Sequence, residues 1–415
     1  MLDPNNVRKP FRVTSIIASL TAGGIGPVCR YAAEGMAKRS DWRVTLLSLH
    51  DPASEFTDEA SGLQVVCLGL DGNCARSFLQ WLAANPQDII ITSDVSRIEL
   101  AFRFIPPETR HVVQIHDSGR RYRAVAVGHA PWIDGVTCVG RHIETRLRRS
   151  LDEVGFHGIL RTVSNGANFP PLANRKPHSG ALRLLYMGRV EALKGVFDLL
   201  PLLQRLRKLD VPVSLNIVGG ENDALRRQFQ RKGLEELVTW SGCVHHEQCY
   251  DVAAASDLLL MPSRKESFGM VTIEAMSMGC VPIAYNIPSG STEIIEPGKC
   301  GLLVALGDVQ GWANQIRSLH LNRKRLTELS VAAVTRARTH FNADLMSQNL
   351  AAFLADVLAH GETRPTRREA GRPPETPAIY SPPARGYQLL PAGLRDWIRI
   401  RVCSLPRLSY WWLNR

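Results

Sequence analysis

The sequence predicts an α/β protein with two Rossmann-like halves, each built on a parallel sheet, followed by a Pro- and Arg-rich C-terminal extension. Three observations carry this. Short apolar runs of strand length alternate with amphipathic runs of helix length, as in a parallel sheet covered on both faces. A polar, Pro-rich segment at 168–180 interrupts the alternation, which then restarts. The chain has 415 residues and is 45% hydrophobic, enough for two packed domains and something added.

In the first half, residues 11–20 read as a buried strand. The turn Ala22-Gly23-Gly24-Ile25-Gly26 follows, then Pro27, which suits a first helical turn, and an amphipathic run over 28–39. Further strands are expected at 44–49, 64–68, 89–92, 112–115 and 135–139. In the second half, strands are expected at 182–187, 213–218, 238–240, 258–261 and 281–284. Helices are expected at 195–208, at 223–232 and between the last two strands, and another with an apolar stripe at 344–359. The expected division is an N-terminal domain over 1–172, a second Rossmann-like domain over 173–340 and a C-terminal helix over 341–360 returning toward the first domain. A disordered linker over 361–388 and a basic aromatic tail over 389–415 complete it.

Composition excludes several classes. The nine cysteines are scattered and no Cys-x-x-Cys occurs, so neither a disulfide framework nor a metal knuckle is expected. No stretch approaches the ~20 apolar residues of a membrane span, and no secretory signal is visible, so a cytoplasmic protein is expected. The net charge is +11, but residues 361–415 hold ten arginines against four acids, more than half of the surplus. The remainder is only mildly basic, which argues against nucleic acid as a partner. Residues 389–415 interleave Arg with three of the eight tryptophans. That composition suits either the headgroup region of an anionic membrane, at the inner face of the cytoplasmic membrane, or packing on a protein surface.

The segment 263–282 is the most informative. Glu266 precedes the step Phe268-Gly269, and Glu274 lies eight positions after Glu266. A helix starting near Phe268 would aim the free N–H groups of Met270 and Val271 back toward Glu266, an arrangement suited to a phosphate flanked by two sugars. Gly269 would let backbone approach that phosphate. Glu274, in the first turns, is placed to accept from a ribose diol. The plain alternative for each carboxylate is a solvated surface residue. Gly23, Gly24 and Gly26 form a flexible strand–helix turn without the full dinucleotide pattern, so no bound NAD is expected. His116 ends the strand at 112–115, where residues of a parallel sheet face ligands.

With Met187-Gly-Arg-Val-Glu-Ala-Leu-Lys-Gly195 and Gly290-Ser-Thr-Glu-Ile294, these pieces stand in the order and spacing of a known family. Over roughly residues 11–360 the chain resembles the retaining glycosyltransferases of family 4, with the GT-B architecture of two facing Rossmann-like domains. The resemblance implies an enzyme moving a sugar from a nucleoside diphosphate sugar to a hydroxyl acceptor, a glycan or glycolipid. It implies that Glu266 contacts the transferred sugar and that Arg189 and Lys194 neutralise the departing diphosphate. It implies that Glu274 holds the ribose, that Gly23 and Gly24 approach the phosphate and acceptor, and that His116 touches the donor sugar. The Arg–Lys pair serves where other glycosyltransferases use a metal and an Asp-x-Asp motif. This chain has no Asp-x-Asp, so neither a catalytic metal nor another cofactor is expected. His245 and His246 fall in a loop whose backbone the family places near the base, and their side chains are assigned no catalytic role. Only Ser289-Gly290 stands where many members carry two glycines, and Asn168 replaces a commoner Asp. Two other readings are a sugar-nucleotide epimerase or phosphorylase of the same fold, and a non-catalytic, membrane-associated sugar-nucleotide-binding protein.

Overall fold

The structure, a computed structural model, describes residues 9–21, 24–70, 74–95, 98–172 and 180–360. The chain divides into two compact units, one of Met1–Ser164 together with Met346–Arg415, the other of Asn165–Leu345. The expectations for Gly23, for most of the 168–180 linker and for residues 361–415 lie outside the described residues.

In chain order the first unit contains β1 (Phe11–Ile17), α1 (Ile25–Ala37), β2 (Trp42–Ser48), β3 (Ser54–Asp58), β4 (Leu63–Cys67), α2 (Cys74–Ala84), β5 (Ile89–Ser93), β6 (Arg110–Ile115), α3 (Arg120–Gly128), β7 (Gly135–Cys138), α4 (Arg141–Asp152) and β8 (Ile159–Thr162). Its sheet runs β3-β4-β2-β1-β5-β6-β7-β8. Every strand pair among the described residues of this sheet is parallel except β3 with β4. Most of the strands are apolar because both faces are covered, and β5 is buried at all five positions, whereas β3 is polar and exposed. β1 ends at Ile17, short of the expected 20. Ser19 Oγ and the Leu20 N–H turn away to donate to the Asp51 carboxylate, at 2.7 and 2.6 Å.

The second unit contains β9 (Leu182–Met187), α5 (Leu199–Lys208), β10 (Val213–Val218), α6 (Asp223–Arg231), β11 (Val238–Gly242), α7 (His246–Ala254), β12 (Leu258–Met261), α8 (Met270–Ser277), β13 (Val281–Tyr285), α9 (Gly290–Ile294), β14 (Leu302–Val304), α10 (Val309–Leu321) and α11 (Arg323–His340). Its six strands are all parallel, in the order β11-β10-β9-β12-β13-β14. The helix expected from Gly195 begins four residues later. Gly195 sits at φ +71°, a left-handed conformation no helix continues, so two short 3-10 turns precede α5. One core packs α5, α6 and α10 on the sheet, with Trp312 fully buried and stacked on Tyr285.

The last helix, α12 (Ala343–Ala359), carries the chain back to the first unit. Leu350, Phe353, Leu354 and Val357 are buried, Asp356 pairs with Arg161 of β8 at 2.8 Å, and Ser347 Oγ donates to the Tyr31 carbonyl of α1. The two ends of the second unit are tied to each other. Ala167 N–H donates to the Phe341 carbonyl and Ala343 N–H to the Ala167 carbonyl, both at 3.0 Å. No helix among the described residues is long and apolar enough to cross a membrane.

Candidate functional site

Strand order reverses at β9, whose neighbours β10 and β12 run outward on opposite sides. Ligands of open parallel sheets bind beyond the carboxyl ends of the strands at such a point. The segments leaving β9 and β12 carry most of the residues singled out in the sequence. They bring Lys194 Nζ to 2.7 Å from Glu266 Oε2, with side chains only 22% and 13% exposed. Ser263 Oγ also points to Glu266 Oε2, at 3.4 Å. The two segments are stitched together: Arg264 N–H donates to the Leu193 carbonyl at 2.9 Å, and the Arg264 guanidinium and Tyr285 hydroxyl both reach Asp198, at 3.0 and 2.8 Å. Arg189 is not drawn in with Lys194. Its guanidinium is 76% exposed and pairs with Glu191 at 3.0 Å.

Helix α8 starts at Met270, two residues later than Phe268, because Phe268 is buried against Phe341 and Gly269 forms the cap in left-handed backbone at φ +99°. The N–H groups of Met270 and Val271 fall in the first turn, outside the intrahelical ladder. Around Gly269 the space is polar. A Cβ there would meet Ser291 Oγ at 2.7 Å and Thr272 Oγ1 at 3.0 Å, with Glu266 Cγ at 3.6 Å. Thr272, Ser289 and Ser291 are buried, and their hydroxyls have no hydrogen-bond partner among the described residues. Sequence reading saw the helix start but not these hydroxyls, whose proximity comes from α9 folding back onto it.

Glu274 is 5% exposed on a helix buried on every side from Thr272 to Ser277. Its Oε1 lies 2.9 Å from Nε2 of His246, the first residue of α7. The hydrogen bond to Glu274 raises the His246 pKa above the usual imidazole value, against a smaller opposing effect of burial. The sequence reading gave His246 no role, since nothing local joins positions 28 residues apart on separate helices.

In the first unit, Gly24 caps α1 with no side-chain hydrogen bond. His116 follows β6 and is 7% exposed. Burial pulls its pKa down to about 4, so the ring is neutral near neutral pH. Its Nε2 is 3.6 Å from the Cys29 sulfur, its N–H donates to Asp94 Oδ2 at 3.2 Å, and its Nδ1 has no partner. Burial likewise pushes the Cys29 thiol up to about 12 and holds Asp94 well above the carboxylate range. Asp94 adopts φ +49° at the end of β5, a conformation uncommon for a non-glycine residue, and no sequence motif marked it.

No group of three or more His, Cys, Asp or Glu among the described residues is placed to hold a metal ion. What the second unit offers is a helix start with unpaired hydroxyls, a cation and a carboxylate in contact at its mouth, and a second carboxylate one turn inside.

Residues 173–338 match the family model described as glycosyl transferases group 1. A glycogen synthase of Mycobacterium tuberculosis is 31% identical over 215 residues, 51% of this chain and 50% of that protein. A GDP-mannose:cellobiosyl-diphosphopolyprenol alpha-mannosyltransferase of Xanthomonas oryzae pv. oryzae is 31% identical over 167 residues, 39% of this chain and 44% of that protein. The chain therefore spans about half the length of the curated relatives it matches. Among solved structures, a sucrose-phosphate synthase from Thermosynechococcus elongatus superposes with a TM-score of 0.71 over 84% of this chain and 99% of that one, at 20% identity. That likeness identifies the fold as GT-B.

Proposed function

We propose, for a chain whose residues 173–338 belong to the glycosyl transferases group 1 family, transfer of a sugar from a nucleoside diphosphate sugar to a hydroxyl acceptor with retention at the anomeric carbon. The Lys194–Glu266 contact beside the start of α8 carries this reading. A diphosphate at that helix start would meet the N–H groups of Met270 and Val271, the field of the helix, and the hydroxyls of Thr272 and Ser291. Lys194 leaves Glu266 for the diphosphate and supports the charge that grows as the glycosidic bond breaks. Glu266, released, accepts from hydroxyls of the transferred sugar and faces the positive charge developing at its anomeric carbon. Glu274 accepts from the ribose diol. Arg189 swings from Glu191 to the diphosphate, a short move for so exposed a side chain.

The test is product formation across a panel of uridine and guanosine diphosphate sugars. Glu266→Ala lowers turnover by about a hundredfold or more, the scale on which a lost electrostatic stabiliser acts, while the protein stays folded. Unchanged turnover removes the assignment.

For the acceptor we infer a glycan or glycolipid of surface polysaccharide synthesis. Two things support this: the name of the Xanthomonas relative, which specifies a polyprenol-linked acceptor, and the Arg- and Trp-rich composition of 389–415. A chain truncated after residue 361 is expected to lose co-sedimentation with anionic liposomes. Equal sedimentation of both forms would remove the membrane part of the reading.

A further inference from the structure

We propose that His246 is a positioning residue for donor binding: it holds the Glu274 carboxylate in place for the ribose and makes nucleoside diphosphate affinity depend on pH. The proposal rests on the reading that Glu274 binds the ribose.

The geometry is specific. Among the described residues, His246 is the one side chain hydrogen-bonded to the Glu274 carboxylate, through Nε2 to Oε1 at 2.9 Å. The Glu274 side chain is 7% exposed and that of His246 is 46% exposed. A carboxylate has about four acceptor positions. His246 takes one on Oε1, which leaves Oε2 and the rest of Oε1 for a vicinal diol. A nearly buried carboxylate with one partner depends on that partner for its orientation and for offsetting its charge. The imidazole is itself fixed, edge-on to the Tyr250 ring at 5.4 Å. It opens α7, where the helix dipole disfavours positive charge, so it is Glu274, across on α8, that stabilises its protonated form.

Among the described residues, the groups facing His246 are Glu274 from α8, and Glu247 and Tyr250 from its own helix; Cys249 lies in the field of the same Glu274. Both carboxylates attract the imidazolium. Burial holds the Cys249 thiol above its ordinary value, so it does not ionise before His246 does. The His246 pKa is raised from the ordinary imidazole value mainly by the Glu274 hydrogen bond. Below the raised pKa the ring carries a positive charge beside the donor site; above it that charge is gone. An incoming nucleoside diphosphate is anionic, so the charged ring receives it better, and affinity falls as pH rises through the raised imidazole pKa. By linkage, binding takes up protons in the same range.

The test is calorimetric titration of the full chain with UDP and GDP, each against its 2′-deoxy counterpart, between about pH 6 and about pH 8.5. For whichever nucleotide binds, the wild type is expected to weaken by several-fold across that range with net proton uptake. His246→Ala loses about five- to tenfold for the ribonucleotide and much less for the 2′-deoxy form, as expected for a hydrogen bond to a charged group. His246→Gln, which still donates to Glu274, restores most of the ribose preference with a flat pH profile. A wild-type pH profile and ribose preference in His246→Ala, with Glu274→Gln impaired, would overturn the inference alone. If Glu274→Gln also keeps the ribose preference, or if neither nucleotide binds, the reading of Glu274 falls and the inference with it.

Discussion

Lys194 and Glu266 are charged groups 2.7 Å apart with side chains 22% and 13% exposed, and their coupling can be worked out and measured. At an effective dielectric near 20 the bare attraction is about 6 kcal/mol, and desolvation of two largely buried ions takes back most of it. A net coupling of about 1.5 kcal/mol is expected. Lys194→Met leaves Glu266 with only the long Ser263 contact and should cost about 2–3 kcal/mol, the penalty of a buried unpaired charge discounted for its residual exposure. Glu266→Gln keeps an acceptor for Lys194 and should cost about 1 kcal/mol. The double variant should cost less than the sum of the two. Urea unfolding of the four proteins gives the cycle. Additivity within about 0.5 kcal/mol would refute the coupling. Binding supplies a second sign. If Lys194 serves the diphosphate and is held by Glu266 in the free protein, Glu266→Gln should bind UDP or GDP more tightly and Lys194→Met more weakly. Weaker binding by Glu266→Gln would show that the two residues do not compete in this way.

Two further predictions follow from backbone and burial. Gly269→Ala must place a Cβ 2.7 Å from Ser291 Oγ at φ +99°, and should cost about 1–3 kcal/mol with loss of nucleotide binding; an unchanged melting temperature would contradict the cap geometry. His116 has a folded pKa depressed from 6.5 to about 4, so its contribution is present above pH 6.5 and is lost as pH falls through about 4, by roughly 3 kcal/mol in all. His116→Gln should flatten the pH dependence of the unfolding midpoint over that window, and an unaltered profile would assign acid lability to another group.

The fold was readable where burial leaves a mark on side-chain type. The cores of β1, β2, β5 and β9 are runs of Val, Ile and Leu, and these are the strands that both faces of a sheet enclose. β3 escaped because Ser54–Asp58 is polar and exposed along nearly its whole length; it exists through antiparallel backbone pairing with β4, which no side-chain period announces. β8 and β14 are short and only partly buried, so neither carries the fully buried apolar run that marks the equally short β12. The site divides the same way. Glu266, Gly269 and Glu274 stand within one continuous stretch and were visible as a motif. The unpaired hydroxyls of Ser289 and Ser291, the Asp198 link between Arg264 and Tyr285, and the His246–Glu274 bond all join distant positions, and only the packed sheet brings them together.

The return of α12 to the first unit has a consequence for synthesis. That unit is interrupted after Ser164 and resumes only at Met346, so the whole second unit leaves the ribosome before the helix bearing Phe353, Leu354 and Val357 can dock. At typical elongation rates this is a wait of about 10–40 s. The second unit, with its ends hydrogen-bonded to each other, needs no such partner and is expected to fold first, although the first unit's strands are translated earlier. Arrested nascent chains of increasing length should therefore show protease resistance in the second unit before the first, the reverse of the order of synthesis.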